Sequence, residues 1–227
     1  MAEPTRRALL AGAASLVAAP RLARAAQAAR AFRVIRDGSD IGEHNIALSR
    51  AKGALEVAID IAIAVRILGL TVYSYEMTNR EVWRDGRLVS GDSRVVEDGE
   101  TREIRIRRAD DGLRVDGPAY RGPAPADAAT TTYFTRAFME RGRWISTDGG
   151  ALLSVARRRL GEAEAQTEAG PVPVTRWRVG DADDYAVDVD YDAEGEWAGI
   201  AFDARGEKVT YRADSLSDPV SALWEGA

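Results

Sequence analysis

The most constraining feature of the sequence is an uninterrupted alternation over residues 55–67. Every odd position in this stretch carries a large aliphatic side chain, whereas the even positions carry alanines and the charged residues Glu56, Asp60 and Arg66. Because successive side chains of a β-strand point to opposite faces, the pattern predicts a long strand with one apolar face and one small, partly wet face. Gly69 ends the run, and a second β-rich stretch over residues 71–83 completes a predicted long hairpin.

Asp-Gly steps divide much of the remaining chain into segments of strand length. They occur at residues 37–38, 85–86, 98–99, 111–112 and 148–149. Such steps are typical of tight hairpin turns, and their regular spacing favours an antiparallel meander over βαβ units. The predicted fold class is all-β, with a long antiparallel meander that forms one strongly curved sheet, a half-barrel or a barrel, because twist accumulates across roughly a dozen strands.

Further predictions concern four segments outside the clearest part of the Asp-Gly pattern. Residues 117–129 contain three prolines and are predicted to form a surface loop. Residues 130–141 could form a short helix, and Gly161 is expected to separate two strands, 152–160 and 162–168. The tail after residue 213 is expected to pack only loosely against the domain.

Composition limits the classes of function that the chain can have. Its 227 residues, 45% of them hydrophobic, suit one large β domain over residues 26–227. A net charge of -5 argues against general affinity for nucleic acid. Cysteine is absent and His44 is the sole histidine, so thiol chemistry is excluded and no metal site or cofactor is predicted. Beyond the N-terminal segment, no stretch approaches the length of a membrane span.

Residues 1–25 have the order of features found in an export leader. The arginine pair Arg6 and Arg7 precedes a mildly apolar run over residues 8–19, and small residues surround the expected cleavage point after Ala25. The arginine pair predicts export by the twin-arginine route. The expected location of the mature domain is therefore periplasmic or secreted.

Six side chains of the long hairpin are the predicted wall of a ligand site. If the curved sheet encloses a cavity, they would bind an apolar or amphiphilic envelope molecule such as a lipid. The alternative is that these large side chains fill a core. The predicted wall consists of Ile59, Ile61, Ile63, Tyr73, Tyr75 and Trp83.

Two other hypotheses concern catalysis and assembly. His44 could serve as a general base in an envelope hydrolase, with Glu43 as its acidic partner. No nucleophile elbow, phosphate loop or dinucleotide glycine pattern accompanies it, so a surface or edge-strand histidine is the favoured interpretation and no catalytic residue is predicted. A purely structural role, in which sheet edges pair with an unidentified protein partner, is the third hypothesis.

The acidic tract over residues 181–196 has two interpretations. Asp188, Asp190 and Asp192 resemble the start of a calcium loop, but Gly195 comes too late and no glutamate closes the loop. Alternation with apolar residues favours a wet strand face instead.

Arginines in the predicted strands are expected to pair with acidic residues on neighbouring strands. The alternative is that several of them share a face and bind an anionic group. The residues are Arg102, Arg105, Arg107, Arg108, Arg157, Arg158, Arg159, Arg176 and Arg178.

Four motifs together resemble a family of exported bacterial proteins described as a domain of unknown function. The motifs are the turn at residues 36–38 with Ile41 and Gly42 after it, and the stretches 81–88, 112–118 and 191–197. They are hairpin and packing signatures, so the resemblance implies a fold and carries no catalytic residue. Such proteins look like the long curved antiparallel sheets of envelope carrier and lipid-binding proteins, an analogy at the level of fold.

Overall fold

A computed structural model describes residues 27–181, 185–204 and 206–225. The predicted leader, residues 1–25, and residues 182–184 of the acidic tract lie outside the described residues. The strands are β1 (Gln27–Arg36), β2 (Ser39–Ala51), β3 (Ala54–Ile67), β4 (Leu70–Arg84), β5 (Arg87–Glu97), β6 (Glu100–Ala109), β7 (Gly112–Asp116), β8 (Arg121–Ala124), β9 (Ala129–Thr130), β10 (Arg143–Ile145), β11 (Leu152–Ser154), β12 (Ala156–Thr167), β13 (Gly170–Asp181), β14 (Tyr185–Tyr191), β15 (Trp197–Ala204) and β16 (Glu207–Ala213). A 3-10 helix covers Arg136–Glu140, and the α-helix α1 covers Val220–Glu225.

The fold is all-β and is dominated by one large curved sheet of 13 strands, which confirms the predicted class. The strand order is β12-β13-β14-β15-β16-β1-β2-β3-β4-β5-β6-β7-β8, and β12 also contacts β16 through one parallel bridge between Thr167 and Ala213. Neighbours in chain order pair antiparallel, as a meander requires. The exception to chain order is β16 beside β1, which brings the C-terminal strands next to the first hairpin.

Several of the hairpins have tight two-residue turns, which explains why Asp-Gly steps in the sequence mark the ends of strands. In five hairpins both central residues have positive φ, the geometry of a turn whose twist matches that of the flanking strands. Aspartate and glycine tolerate this geometry better than most residues. The five turns are Asp37-Gly38, Lys52-Gly53, Leu68-Gly69, Asp85-Gly86 and Asp98-Gly99.

The hairpin of β3 and β4 has the two faces that its alternation predicted. Leu55, Val57 and Ile59 are at most 1% exposed, whereas Glu56 and Asp60 on the other face are exposed. The apolar face is not buried along its whole length. Towards the turn Ile61 and Ile63 are partly exposed, Val65 is 9% exposed, and Ile67 is 57% exposed.

Three segment boundaries differ from the sequence prediction. The predicted helix over residues 130–141 is reduced to the 3-10 helix Arg136–Glu140. The predicted loop over residues 117–129 contains the short strand β8. Gly161 lies inside β12, where the register shifts between Arg159 and Gly161, so the glycine accommodates a bulge and does not end the strand.

The C-terminal tail packs tightly, which corrects the expectation of loose packing. Trp224 of α1 is 9% exposed, and its ring centroid lies 5.2 Å from that of Trp83 and 5.4 Å from that of Phe138. A buried ion pair fastens this helix to the sheet. Arg30 Nη2 donates to Glu196 Oε2 at 3.0 Å, and the same carboxylate accepts the main-chain N–H groups of Val220 and Ser221.

No helix in the ranges that the structure describes is both long enough and apolar enough to cross a membrane.

Candidate functional site

A cavity of about 310 Å³ lies inside the curved sheet, under the accessible half of the β3–β4 hairpin. Its volume falls at the lower end of the roughly 300–1,000 Å³ typical of small-molecule sites. Its wall consists of Ile59, Ile61, Ile63, Tyr73, Tyr75 and Met77 from the hairpin, His44, Val187, Trp197, Ile200, Phe202 and Tyr211 from β2, β14, β15 and β16, and Thr131, Thr132, Tyr133, Thr147 and Asp148 from the segment around β9 and β10.

A second cavity of about 260 Å³ adjoins the first and extends to the surface at the hairpin tip. The two cavities share Ile63, Tyr73 and Phe202 as wall residues. The tip itself is apolar and exposed: Ile67 is 57% exposed and Leu68 is 99% exposed. The two adjoining, mainly apolar cavities therefore lie between the hairpin tip and the sheet interior.

Five of the six predicted wall residues surround the inner cavity, and Trp83 does not. Ile59, Ile61, Ile63, Tyr73 and Tyr75 line it, and their role in binding remains a prediction. The predicted place of Trp83 in the cavity wall is corrected: this side chain is 0% exposed and packs against Phe138 and Trp224, where side chains fill the interior of the sheet. Aromatic side chains of this apolar face therefore fill a core at the Trp83 end and line a cavity at the end nearer the hairpin turn.

His44 is a buried residue of a central strand, which corrects the expectation of a surface or edge position. It is 6% exposed, and β2 lies between β1 and β3. Its ring centroid lies 5.2 Å from that of Trp197 and 5.5 Å from that of Tyr211, with all three residues lining the inner cavity. Neither ring nitrogen has a hydrogen-bond partner among the described residues.

Burial lowers the pKa of His44 from 6.5 to about 3, so the imidazole is neutral in the folded protein at ordinary pH. The cause is desolvation, because the rings packed around it belong to Phe32, Trp197 and Tyr211 and supply no carboxylate. A neutral imidazole has one donor and one acceptor nitrogen, and the described residues use neither of them.

The lowered pKa predicts a specific loss of stability in mild acid. Below its unfolded pKa, His44 binds a proton in the unfolded chain and not in the folded one, so stability is complete above that pKa and falls as the pH decreases towards the folded value. Between about pH 7 and about pH 5 this group should cost about 2 kcal/mol of unfolding free energy. His44→Phe should lack this component, as measured by urea unfolding of both proteins at the two pH values.

If the wild-type protein and His44→Phe lost the same amount of unfolding free energy over this pH range, His44 would not be the responsible group. The comparison is needed because carboxylates elsewhere in the chain also titrate below neutral pH.

Glu43 does not orient His44, so the proposed catalytic dyad is not assembled. Glu43 is exposed on the opposite face of β2, where its carboxylate lies 4.0 Å from Arg33. Adjacent residues of a strand point to opposite faces, and this alternation separates the two side chains.

A polar network closes one side of the cavity. Tyr75 donates its hydroxyl to Asp148 Oδ1 at 3.0 Å, and Arg102 Nη2 contacts the same oxygen at 3.0 Å. Burial, followed by the charge of Asp148, raises the pKa of Tyr75. The hydroxyls of Thr131 and Thr147 are 3.0 Å apart. These polar wall residues therefore satisfy one another.

Sequence reasoning missed the loop residues of this network and the C-terminal wall residues Phe202 and Tyr211. In the sequence Asp148 belongs to a predicted turn, Thr131 to a predicted short helix and Thr147 to the end of a predicted strand. The C-terminal aromatics reach the cavity because β16 pairs with β1, a contact between distant parts of the chain.

Charges elsewhere on the sheet follow the expectation of cross-strand pairing in part, since Arg105 and Arg159 pair with Glu103 and Glu162 of their own strands. Arg176 holds both oxygens of Asp190 at 2.7 Å, and Arg178 holds Asp188 at 2.7 and 2.9 Å. These carboxylates of the acidic tract are engaged by guanidinium groups. Across residues 27–181, 185–204 and 206–225, no group of three histidine or acidic side chains is placed to hold a metal ion.

Comparison with solved structures gives a fold-level relative. The crystal structure of a beta-barrel-like protein of domain of unknown function DUF1849 from Brucella abortus matches with a TM-score of 0.55 and 9% sequence identity, covering 83% of this chain and 96% of that chain. At this identity the likeness shows the fold alone. No curated protein matches the chain by sequence. The family model described as domain of unknown function DUF6134 matches residues 32–214, most of the chain, and the chain therefore belongs to this family.

Proposed function

We propose that the protein is a non-enzymatic binder of an apolar or amphiphilic envelope molecule, which it holds in the cavity under the β3–β4 hairpin. The observation that supports this proposal is the pair of adjoining, mainly apolar cavities between the exposed hairpin tip and the sheet interior, of which the inner one has a volume of about 310 Å³. Apolar side chains that remain accessible cost free energy in water, and a bound apolar molecule would remove that cost. The predicted export of the mature domain fits a molecule of the cell envelope.

The alternatives have less support from the arrangement of the chain. A hydrolase using His44 lacks an orienting carboxylate, because Glu43 points to the other face. Assembly would require a partner protein to pair with an edge strand of the large sheet, and both edge strands carry residues that disfavour such pairing. The β8 edge contains Pro123, and the β12 edge carries the consecutive arginines of residues 157–159, features that discourage strand addition.

The direct test is native mass spectrometry with lipid extraction on the mature protein purified from its own cells. We expect a reproducible added mass that releases an amphiphile on extraction. A bare protein mass in repeated preparations, together with no binding of an apolar probe, would contradict the proposal. The same spectrum reports whether residues 1–25 have been removed.

Substitution at Ile61 tests the location of the site. Ile61→Arg places a guanidinium in the apolar wall, where a charge is poorly solvated, and should weaken binding of the neutral fluorescent probe N-phenyl-1-naphthylamine by at least about tenfold. The matched control is Ala62→Arg on the adjacent, exposed position, where the register places Glu43 and Glu76 on either side. Probe titrations of both variants measure the effect.

Equal binding by both variants would place the probe outside the cavity. Because a buried charge could also disturb folding, Ile61→Trp provides a second, uncharged variant. This larger side chain should reduce binding by occupying the cavity, and circular dichroism checks that the sheet is retained.

A further inference from the structure

His44 is an unsatisfied polar group in an otherwise satisfied cavity wall. Buried polar groups in folded proteins are almost always hydrogen-bonded, and an orphaned one costs free energy. Here the imidazole is 6% exposed and lines the cavity, yet neither nitrogen has a partner among the described residues. By contrast, Tyr75 donates to Asp148, and Thr131 pairs with Thr147.

The charge of the inner cavity excludes an anionic partner for this imidazole. The described wall contains no lysine or arginine, and its one carboxylate, Asp148, is neutralised by Arg102 outside the wall at 3.0 Å. At the outer cavity, Arg36 is paired with Glu207 at 2.6 Å. A carboxylate or phosphate carried to His44 would therefore be desolvated without a free countercharge, which is costly.

We propose that His44 recognises a single uncharged oxygen function, a hydroxyl or carbonyl, at the polar end of the bound molecule. This inference rests on the proposed binding function and specifies its ligand class as a neutral long-chain alcohol or carbonyl compound. A hydroxyl can pair with either nitrogen of a neutral imidazole, because it can donate to the acceptor nitrogen or accept from the donor nitrogen, whereas a carbonyl can only accept from the donor nitrogen.

The position of His44 defines how such a molecule lies. His44 pairs across the sheet with Ile61, and Ile67 at the hairpin tip is six residues further along β3. At a rise of about 3.3 Å per residue this is roughly 20 Å, so the oxygen function lies deep in the sheet and the apolar tail extends past Ile63 and Tyr73 towards the tip.

The test compares three compounds of equal chain length, 1-dodecanol, dodecanoate and dodecane, by displacement of N-phenyl-1-naphthylamine. We expect wild-type protein to bind the alcohol about tenfold more tightly than the alkane, the effect of one net hydrogen bond, and more tightly than the carboxylate. His44→Phe keeps a ring of similar size and should lose the preference for the alcohol while still binding the alkane and the probe. His44→Gln retains a donor and an acceptor and should preserve part of the preference.

Two outcomes would overturn the inference while leaving the proposed function intact. One is tighter binding of dodecanoate than of 1-dodecanol by the wild-type protein, a measurement that needs no variant. The other is an undiminished preference for the alcohol in His44→Phe. Failure of the probe and all three compounds to bind the wild-type protein would overturn the proposed function together with this inference.

Discussion

Replacing Trp83 by alanine should lower the free energy of unfolding by about 3–5 kcal/mol, the range for removing a large aromatic side chain from a core. Trp83 is 0% exposed and contacts Phe138 and Trp224. Its Nε1 also donates to the buried Glu81 at 2.8 Å, so the substitution removes a hydrogen-bond donor from a carboxylate without access to water. Urea unfolding at neutral pH measures the loss.

The matched control is Trp177→Ala, the same substitution at a half-buried position. It should cost clearly less, because less apolar surface returns to water. Trp83→Phe offers a milder variant should the alanine protein fail to fold. If Trp83→Ala left stability almost unchanged but weakened probe binding, Trp83 would belong to the ligand wall after all.

Removing the carboxylate of Glu196 should be about as damaging, at about 3–5 kcal/mol, because it leaves a buried charge without its partner. The side chains of Arg30 and Glu196 are 1% and 5% exposed. Glu196 also accepts hydrogen bonds from Val220 and Ser221. Glu196→Ala should therefore release α1 as well, and limited proteolysis should cut the chain after residue 213 much faster than in the wild-type protein.

Asp188→Ala is the control for this ion pair. Asp188 accepts two hydrogen bonds from Arg178, but the arginine side chain is 48% exposed, and exposed pairs typically contribute only about 0–1 kcal/mol. A loss for Glu196→Ala as small as that for Asp188→Ala, with an unchanged rate of proteolysis, would show that the buried pair does not hold the tail.

Local patterns were sufficient to predict most of the long strands and the two faces of β3. The alternation over residues 55–67 depends only on the geometry of one strand, so it gave the apolar face of β3 correctly. The same information was present for His44, because it alternates with Ile46 and Leu48, both at most 2% exposed in the same strand.

The depth of a residue in the interior could not be predicted from these patterns. Tyr75 and Trp83 lie on the same face of β4, yet one lines a cavity and the other lies in a filled core. The difference arises because Trp224, 141 residues further along the chain, covers only the Trp83 end. Contacts of such separation depend on the closure of the whole sheet and leave no periodicity in the sequence.

The unequal ends of the hairpin also have a kinetic consequence. Trp224 packs over one end of the hairpin, whereas the outer cavity, with Ile67 and Val72 in its wall, lies between the inner cavity and the hairpin tip at the other end. An alcohol bound to His44 would therefore enter with its oxygen leading and depart with its tail leading. The hydrocarbon would be the first part of the ligand to reach solvent, so the rate of dissociation should depend on the length of the tail.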